Sequence, residues 1–257
     1  MAEIGGLGEI GEDRLLDGRL RLFQPRRGHR AGSDAVLLAA ALPELGPGPL
    51  IDLGSGVGTV GLSAALLQPE LHVVLAERDR DVAALAARNV EANAIEDRVR
   101  TVAADVATLG RAGDPHGIAP GSFAGVALNP PFYAPGRTKV SPVANRQAAH
   151  VVETPLSDWI QAARRLLRPG GTVTAIHRAE VLPELLALLS KGFGAIAVRP
   201  LHGSEGRPAV RVIVSGIAGS RAPLLLLPGL VLNGPEGRLT AESDALHRGR
   251  ASLSPYQ

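Results

Sequence analysis

Ile51-Asp52-Leu53-Gly54-Ser55-Gly56-Val57-Gly58 is the stretch that decides the fold, because an apolar run ends here in a glycine-rich turn. The apolar run predicts a buried strand at residues 50–53, and the residues after the turn predict a helix at 59–67. Glycine permits the tight turn and a close approach of the backbone to a ligand, and the next helix points its N-terminus at that ligand. The stretch therefore predicts a nucleotide-type binding site in an α/β domain.

Further strands and helices are predicted to alternate along the rest of the chain. The strands are at 71–76, 99–103, 123–128, 172–177, 195–198 and 211–214, and the helices at 79–93, 156–167 and 181–189. Repeated βα units of this length predict a parallel, doubly wound sheet. Ligands of such sheets bind beyond the carboxyl ends of the strands.

An N-terminal extension is predicted to precede this domain. Asp17-Gly18 lies between two short runs of strand-like residues and predicts a hairpin. Ser33 or Asp34 is predicted to cap a helix that ends at Leu42. Gly-Pro-Gly-Pro at 46–49 is typical of a linker. We therefore expect an extension at residues 1–46 and the main domain at 47–257.

Composition excludes several classes of function. The 257 residues carry a formal charge of +2 and contain no cysteine, which excludes disulfides, thiolate metal sites and a cysteine nucleophile. The histidines show no metal-like spacing with carboxylates, so no metal is expected. The first residues lack the basic and apolar regions of a signal peptide, and no apolar segment reaches the roughly 20 residues of a membrane span. We expect a cytoplasmic protein.

Acidic residues end three successive predicted strands. Asp52, in the glycine-rich motif, favours a ligand with a positive charge over a diphosphate. Glu77 is placed to accept hydrogen bonds from both hydroxyls of a ribose, and Asp105 to bind the exocyclic amino group of an adenine. A nicotinamide dinucleotide is disfavoured, because its Gly-x-Gly-x-x-Gly motif would need glycine in place of Thr59. S-adenosylmethionine fits this site, although a structural glycine turn with solvated acids is the alternative.

A second motif, Asn129-Pro130-Pro131-Phe132, follows the apolar run at 123–128. It combines an amide side chain, carbonyls without competing proline N–H groups, and an aromatic ring. These groups suit a planar amino group, as in a nucleobase or a carboxamide. A rigid turn capped by Asn129, with Phe132 in the core, is the structural alternative. With the glycine-rich motif, this motif indicates methyl transfer.

Through both motifs the chain resembles the Rossmann-like S-adenosylmethionine-dependent methyltransferases, over nearly its whole length. It is most similar to bacterial adenine-N6 methyltransferases that modify position 37 of valine tRNA, with residues 30–38 and 230–235 similar to the ends of that subfamily. The resemblance implies a class I methyltransferase fold: a seven-stranded, mostly parallel sheet with helices on both faces and an N-terminal hairpin-helix extension. It also implies methyl transfer from S-adenosylmethionine to adenine N6 in tRNA.

The resemblance assigns roles to residues of both motifs. Asn129, Pro130 and Phe132 are the expected catalytic residues: the Asn129 Oδ1 and Pro130 carbonyl oxygens accept the hydrogens of the target amino group, and Phe132 stacks on the extruded base. The expected cofactor site consists of Asp52, Gly54, Ser55, Gly56, Gly58, Glu77, Asp105 and Asn129.

Basic residues on either side of this site are candidates for contact with tRNA phosphates. They are Arg26, Arg27 and Arg30 before the first helix and Arg137, Lys139 and Arg146 after the second motif. A solvated charge run is the alternative for each group.

The target stays open at this point, because Phe132 stands where many adenine and glutamine members carry Tyr. The alternatives are guanine-N2 methylation of ribosomal RNA, glutamine-N5 methylation of a protein, and an RNA-binding module without catalysis.

Overall fold

A mixed β-sheet with helices on both faces forms the centre of the computed structural model, which describes residues 5–27, 32–131 and 154–256. The described strands are β1 (Ile10–Leu15), β2 (Leu20–Pro25), β3 (Pro49–Leu53), β4 (His72–Glu77), β5 (Val99–Ala103), β6 (Phe123–Leu128), β7 (Leu167–Arg178), β8 (Phe193–Ser204), β9 (Ala209–Ala218), β10 (Leu225–Leu226) and β11 (Leu230–Asn233). The described α-helices are α1 (Ser33–Ala41), α2 (Thr59–Leu67), α3 (Arg80–Ala92), α4 (Leu156–Leu166), α5 (Leu182–Leu189) and α6 (Ala241–His247).

The seven predicted strands form the core of this sheet. Its order is β10-β8-β9-β7-β6-β3-β4-β5, and β11 also pairs with β8. From β5 to β7 neighbouring strands run parallel, whereas β9 is antiparallel to both β7 and β8. The predicted α/β fold is therefore confirmed, and two short strands that were not predicted extend the sheet beyond β8.

Alternation along the strands divides the core into two apolar clusters, one on each face. On β3, Leu50 packs with α1, α2 and α6, whereas Ile51 and Leu53 pack with α4 and α5. Both faces of the central strands are thus covered, as expected for parallel strands joined by helices. This explains why β6 is a continuous apolar run and why β3 is apolar apart from Asp52.

The N-terminal hairpin packs on the face that carries α1 and α2. β1 and β2 pair from Ile10 with Pro25 to Leu15 with Leu20, which confirms the predicted hairpin. Leu16, Leu20 and Leu22 are buried in the same cluster as α1 and α2. The division of the chain at residue 46 stays a prediction.

The predicted cap of α1 is wrong. The N-cap position is occupied by Gly32, with no side-chain cap hydrogen bond. Asp34 instead accepts a hydrogen bond from Arg211 Nε at 2.9 Å. An ion pair with a distant strand has replaced the local cap. At α3, by contrast, the cap is local, because the Asp79 carboxylate accepts from the amides of Asp81 and Val82.

The last part of the domain differs most from the sequence prediction. β7 begins at Leu167, five residues before the predicted strand, so Pro169, Gly170 and Gly171 lie inside it, where the register with β6 shifts. β8 and β9 extend well beyond the predicted segments, because they pair with each other as a long antiparallel hairpin. No described helix is long and apolar enough to cross a bilayer.

Candidate cofactor and target site

Parallel pairing brings the two sequence motifs to one edge of the sheet. Leu53, at the end of β3, pairs with Ala76 on β4 and with Leu128 on β6. The next residue of each strand is Gly54, Glu77 or Asn129, and neighbouring strands lie about 4.8 Å apart. The glycine-rich turn at 54–58 therefore begins between Glu77 and Asn129.

The glycines of this turn have different surroundings. Gly54, Gly56 and Gly58 have φ angles of +66°, +55° and +92°, in the left-handed region that favours glycine. A Cβ on Gly54 would collide with the indole of Trp159, and one on Gly58 would lie 2.9 Å from Leu75. A Cβ on Gly56 would have no described atom within 4 Å. Gly54 and Gly58 are thus needed for packing, whereas no described atom occupies the space above the backbone at Gly56.

Asp52 lies beneath the turn rather than on its surface. Its side chain is 1% exposed, and Oδ2 accepts a hydrogen bond from the Gly61 amide of α2 at 2.9 Å. The second oxygen, Oδ1, has no partner among the described residues. Burial raises the pKa of Asp52 to about 7; the Gly61 hydrogen bond opposes this shift, and the negative charge of Glu77 adds to it.

The other predicted cofactor residues lie around the turn. Glu77 accepts from the Gly56 amide through Oε2 and from the Asp79 amide through Oε1, both at 3.0 Å. Asp105 Oδ1 accepts from the Ala107 amide at 2.8 Å. The buried Ser55 Oγ has no hydrogen-bond partner within the described ranges. The carboxylates, the Ser55 hydroxyl and the space at Gly56 suit a ligand that has ribose hydroxyls and no phosphate. S-adenosylmethionine is such a ligand.

Asn129 presents its side-chain amide at the tip of β6. Its Oδ1 is buried and has no hydrogen-bond partner in the part of the chain that the structure describes. Buried polar atoms are nearly always hydrogen-bonded, so the partner of this oxygen is either a ligand or a part of the chain outside the described residues. Pro130 is buried and Pro131 exposed. The expected stacking residue Phe132 lies outside the described residues.

The basic candidates are only partly within the described residues. Arg26 and Arg27 follow β2 and are exposed, and Arg26 Nε lies 2.9 Å from Glu9 Oε1. The remaining candidates, Arg30, Arg137, Lys139 and Arg146, lie outside the described ranges. In those ranges, no three His, Asp or Glu side chains form a cluster that could hold a metal ion.

Trp159 contributes to the site by packing against the turn. It is buried in the cluster of α4 and α5, donates from Nε1 to the Thr154 carbonyl at 3.2 Å, and lies against Gly54. A cleft of about 380 Å³ lies at the opposite edge of the sheet, near the starts of β3, β4 and β5. None of the predicted site residues lines that cleft.

The family model described as methyltransferase small domain matches residues 30–199. The chain belongs to this family. It is an S-adenosylmethionine-dependent methyltransferase, and S-adenosylmethionine is its cofactor.

Two curated relatives of this methyltransferase small domain protein are named tRNA1(Val) (adenine(37)-N6)-methyltransferase. The protein from Tolumonas auensis is 26% identical over 175 residues, which are 68% of this chain and 70% of the relative. The protein from Erwinia tasmaniensis is 27% identical over 223 residues, 85% of this chain and 86% of the relative.

Solved structures agree with the family. A predicted O-methyltransferase, protein Atu636 from Agrobacterium tumefaciens, matches with a TM-score of 0.73 and 28% identity, over 87% of this chain and 100% of that one. The 16S rRNA N2 G1207 methyltransferase of T. thermophilus, in complex with AdoMet and guanosine, matches with a TM-score of 0.55 and 22% identity, over 82% of this chain and 50% of that one. The second likeness shows the fold alone.

Proposed function

We propose that this methyltransferase modifies the exocyclic N6 amino group of an adenine in tRNA, in the cytoplasm. The observation that carries the proposal is the buried Oδ1 of Asn129, which lies beside the glycine-rich turn and has no partner among the described residues. The names of the curated relatives support adenine as the base and tRNA as the substrate.

Asn129 and Pro130 orient the target. Asn129 Oδ1 accepts a hydrogen bond from one N–H of the amino group, and the Pro130 carbonyl accepts a hydrogen bond from the other. Together these hydrogen bonds turn the nitrogen lone pair out of conjugation with the ring. No general base of unusual pKa is needed, because the amino proton becomes acidic only after methylation. Orientation to a near-attack distance of roughly 3 to 3.5 Å and two fixed acceptors for the developing positive charge supply the catalysis.

The residues around the turn bind the cofactor, which supplies an electrophilic methyl group on a sulfonium. Glu77 accepts hydrogen bonds from the ribose hydroxyls and Asp105 from the adenine amino group. Gly54, Ser55, Gly56 and Gly58 form the surface on which the cofactor lies, and Asp52 supports that surface from below through Gly61. Asn129 lies between this surface and the target.

Phe132 stacks on the target base, which must leave its stack to reach the strand tip. Such stacking contributes about 1 to 3 kcal/mol per base. Arg26 and Arg27, with the other basic candidates, hold tRNA phosphates near the site, so tRNA binding weakens as salt concentration rises.

Product identification tests this proposal. The purified protein is incubated with labelled S-adenosylmethionine and either unmodified tRNA, ribosomal RNA or protein extract, and the products are digested and identified by mass spectrometry. We expect N6-methyladenosine in tRNA. N2-methylguanosine in ribosomal RNA, or methylglutamine in protein, would overturn the assigned target.

A further inference from the structure

Asn89, on α3, joins the N-terminal hairpin to the glycine-rich turn through a single buried amide. The residue is 0% exposed. Its Oδ1 accepts from the Phe23 amide at 2.7 Å, and its Nδ2 donates to the Phe23 carbonyl at 3.0 Å and to the Val57 carbonyl at 2.9 Å. One side chain therefore holds β2 and the turn at the same time.

The Val57 carbonyl is a point at which the turn needs support. Val57 stands between Gly56 and Gly58, both in the left-handed region, and glycine backbone loses more conformational freedom on ordering than that of other residues. On the other side of the turn, the Ser55 amide donates to the Ala76 carbonyl at 3.0 Å and the Gly56 amide to Glu77. Asn89 thus fixes the α3 side of a turn whose β4 side is already fixed.

Asn93, the C-cap residue of α3 four residues after Asn89, provides an internal comparison. Its Oδ1 accepts from the Arg21 amide at 2.9 Å, and its Nδ2 donates to the carbonyls of Arg21 at 2.8 Å and Asn89 at 2.7 Å. Asn89 and Asn93 therefore pair with alternate residues of β2 in the same way. They differ in that Asn89 also binds the turn.

We propose that Asn89 is a positioning residue for the cofactor turn, and that it couples the hairpin to cofactor affinity through the Val57 carbonyl. The inference rests on the proposed assignment of residues 54–58 to cofactor binding. A displacement of β2 would move the Phe23 backbone and, with it, the side chain of Asn89. Because Asn89 also binds the Val57 carbonyl, the turn would move as well. A partner that binds more tightly when β2 is in one of two arrangements would therefore change the affinity of the protein for the cofactor. By linkage, the cofactor would change the affinity for that partner by the same factor.

Matched variants separate positioning from folding. Asn89→Ala removes the bonds to both β2 and the turn, whereas Asn93→Ala removes bonds to β2 and to the helix itself. Asn89→Asp keeps an acceptor for the Phe23 amide but has no donor for the two carbonyls. Three quantities are measured for each variant: the thermal midpoint, the Kd for S-adenosylmethionine by calorimetry, and amide hydrogen exchange of residues 54–58 in the free protein.

We expect Asn89→Ala and Asn89→Asp to raise the Kd roughly tenfold, as the loss of one well-made hydrogen bond predicts, and to speed exchange in the turn. Asn93→Ala should change the Kd by less than about twofold, although it should lower the thermal midpoint about as much as Asn89→Ala does. The inference is overturned if Asn93→Ala raises the Kd as much as Asn89→Ala, or if neither Asn89 variant changes the Kd or the exchange. Absence of cofactor binding in the wild type would contradict the cofactor assignment instead, and the exchange data would still test the contact with Val57.

Discussion

Replacing Asp52 with asparagine tests how a carboxyl group buried beneath the glycine-rich turn affects the free energy of unfolding. The folded-state pKa of Asp52 is about 7, against an ordinary value of 3.8, and the first cause is burial. The folded state therefore holds this proton more tightly than the unfolded chain does. The contribution of Asp52 to stability is fully present below about pH 4 and is lost as the pH rises through 7. A difference of about 3 pKa units corresponds to a loss of about 4 kcal/mol above pH 7.

The asparagine side chain has no such loss. Its Oδ1 keeps the hydrogen bond from the Gly61 amide, but its NH₂ group takes the place of the oxygen that has no described partner. An unpaired buried donor costs about 1 to 3 kcal/mol at every pH. The difference in stability between Asp52→Asn and the wild type should therefore shift by about 2 to 3 kcal/mol in favour of the variant between about pH 5 and about pH 8.

Urea unfolding of both proteins at the two pH values measures this shift. Other titrating groups are common to the two proteins and cancel in the difference. Asp97→Asn, at an exposed position of the same domain, is a control for the loss of one carboxylate. A stability difference that is the same at both pH values would refute the reasoning, because Asp52 would then be ionised throughout.

Three further predictions concern the turn and the basic residues. Gly54→Ala should destabilise the protein by about 2 kcal/mol or more, because a Cβ at this positive φ also meets Trp159; an unchanged urea midpoint would contradict this. Glu77→Gln should raise the Kd for S-adenosylmethionine roughly 10- to 100-fold, with wild-type affinity in calorimetry as the contrary result. The double variant Arg26→Ala, Arg27→Ala should lower the slope of log K for tRNA binding against log salt concentration by about 1 to 2 in magnitude. An unchanged slope would show that neither arginine contacts a phosphate.

Elements that carry their own local signal could be predicted from the sequence. Strands β5 and β6 and helix α2 have the predicted bounds. β6 and α2 are mainly apolar segments bounded by turn or cap residues, and β5 begins and ends with apolar residues. The extents of β8 and β9 could not be predicted, since pairing with each other continues the strands through polar residues. The cap of α1 failed for a related reason: Asp34 is bound by Arg211, which lies 177 residues further along the chain.

The candidate site likewise has features that the sequence predicts and features that it does not. The meeting of Gly54, Glu77 and Asn129 follows from one rule, that parallel strands present their carboxyl ends at one edge. The depth of Asp52 beneath the turn and the position of Asn89 do not follow from it. An asparagine in the buried stripe of α3 is a visible anomaly in the sequence, but its partners depend on which strand lies beside the helix.

In the proposed mechanism the main role of the Asn129 amide is to orient the target amino group, and its place in the expected cofactor site is secondary. Single-turnover methylation of tRNA by the wild type and by Asn129→Ala, with the Kd for S-adenosylmethionine measured for both, tests it most directly. We predict that the variant loses N6-methyladenosine formation by roughly 100-fold or more, while its Kd changes by less than about tenfold. A variant that methylates at the wild-type rate, or whose loss of rate disappears at saturating cofactor, would contradict the account.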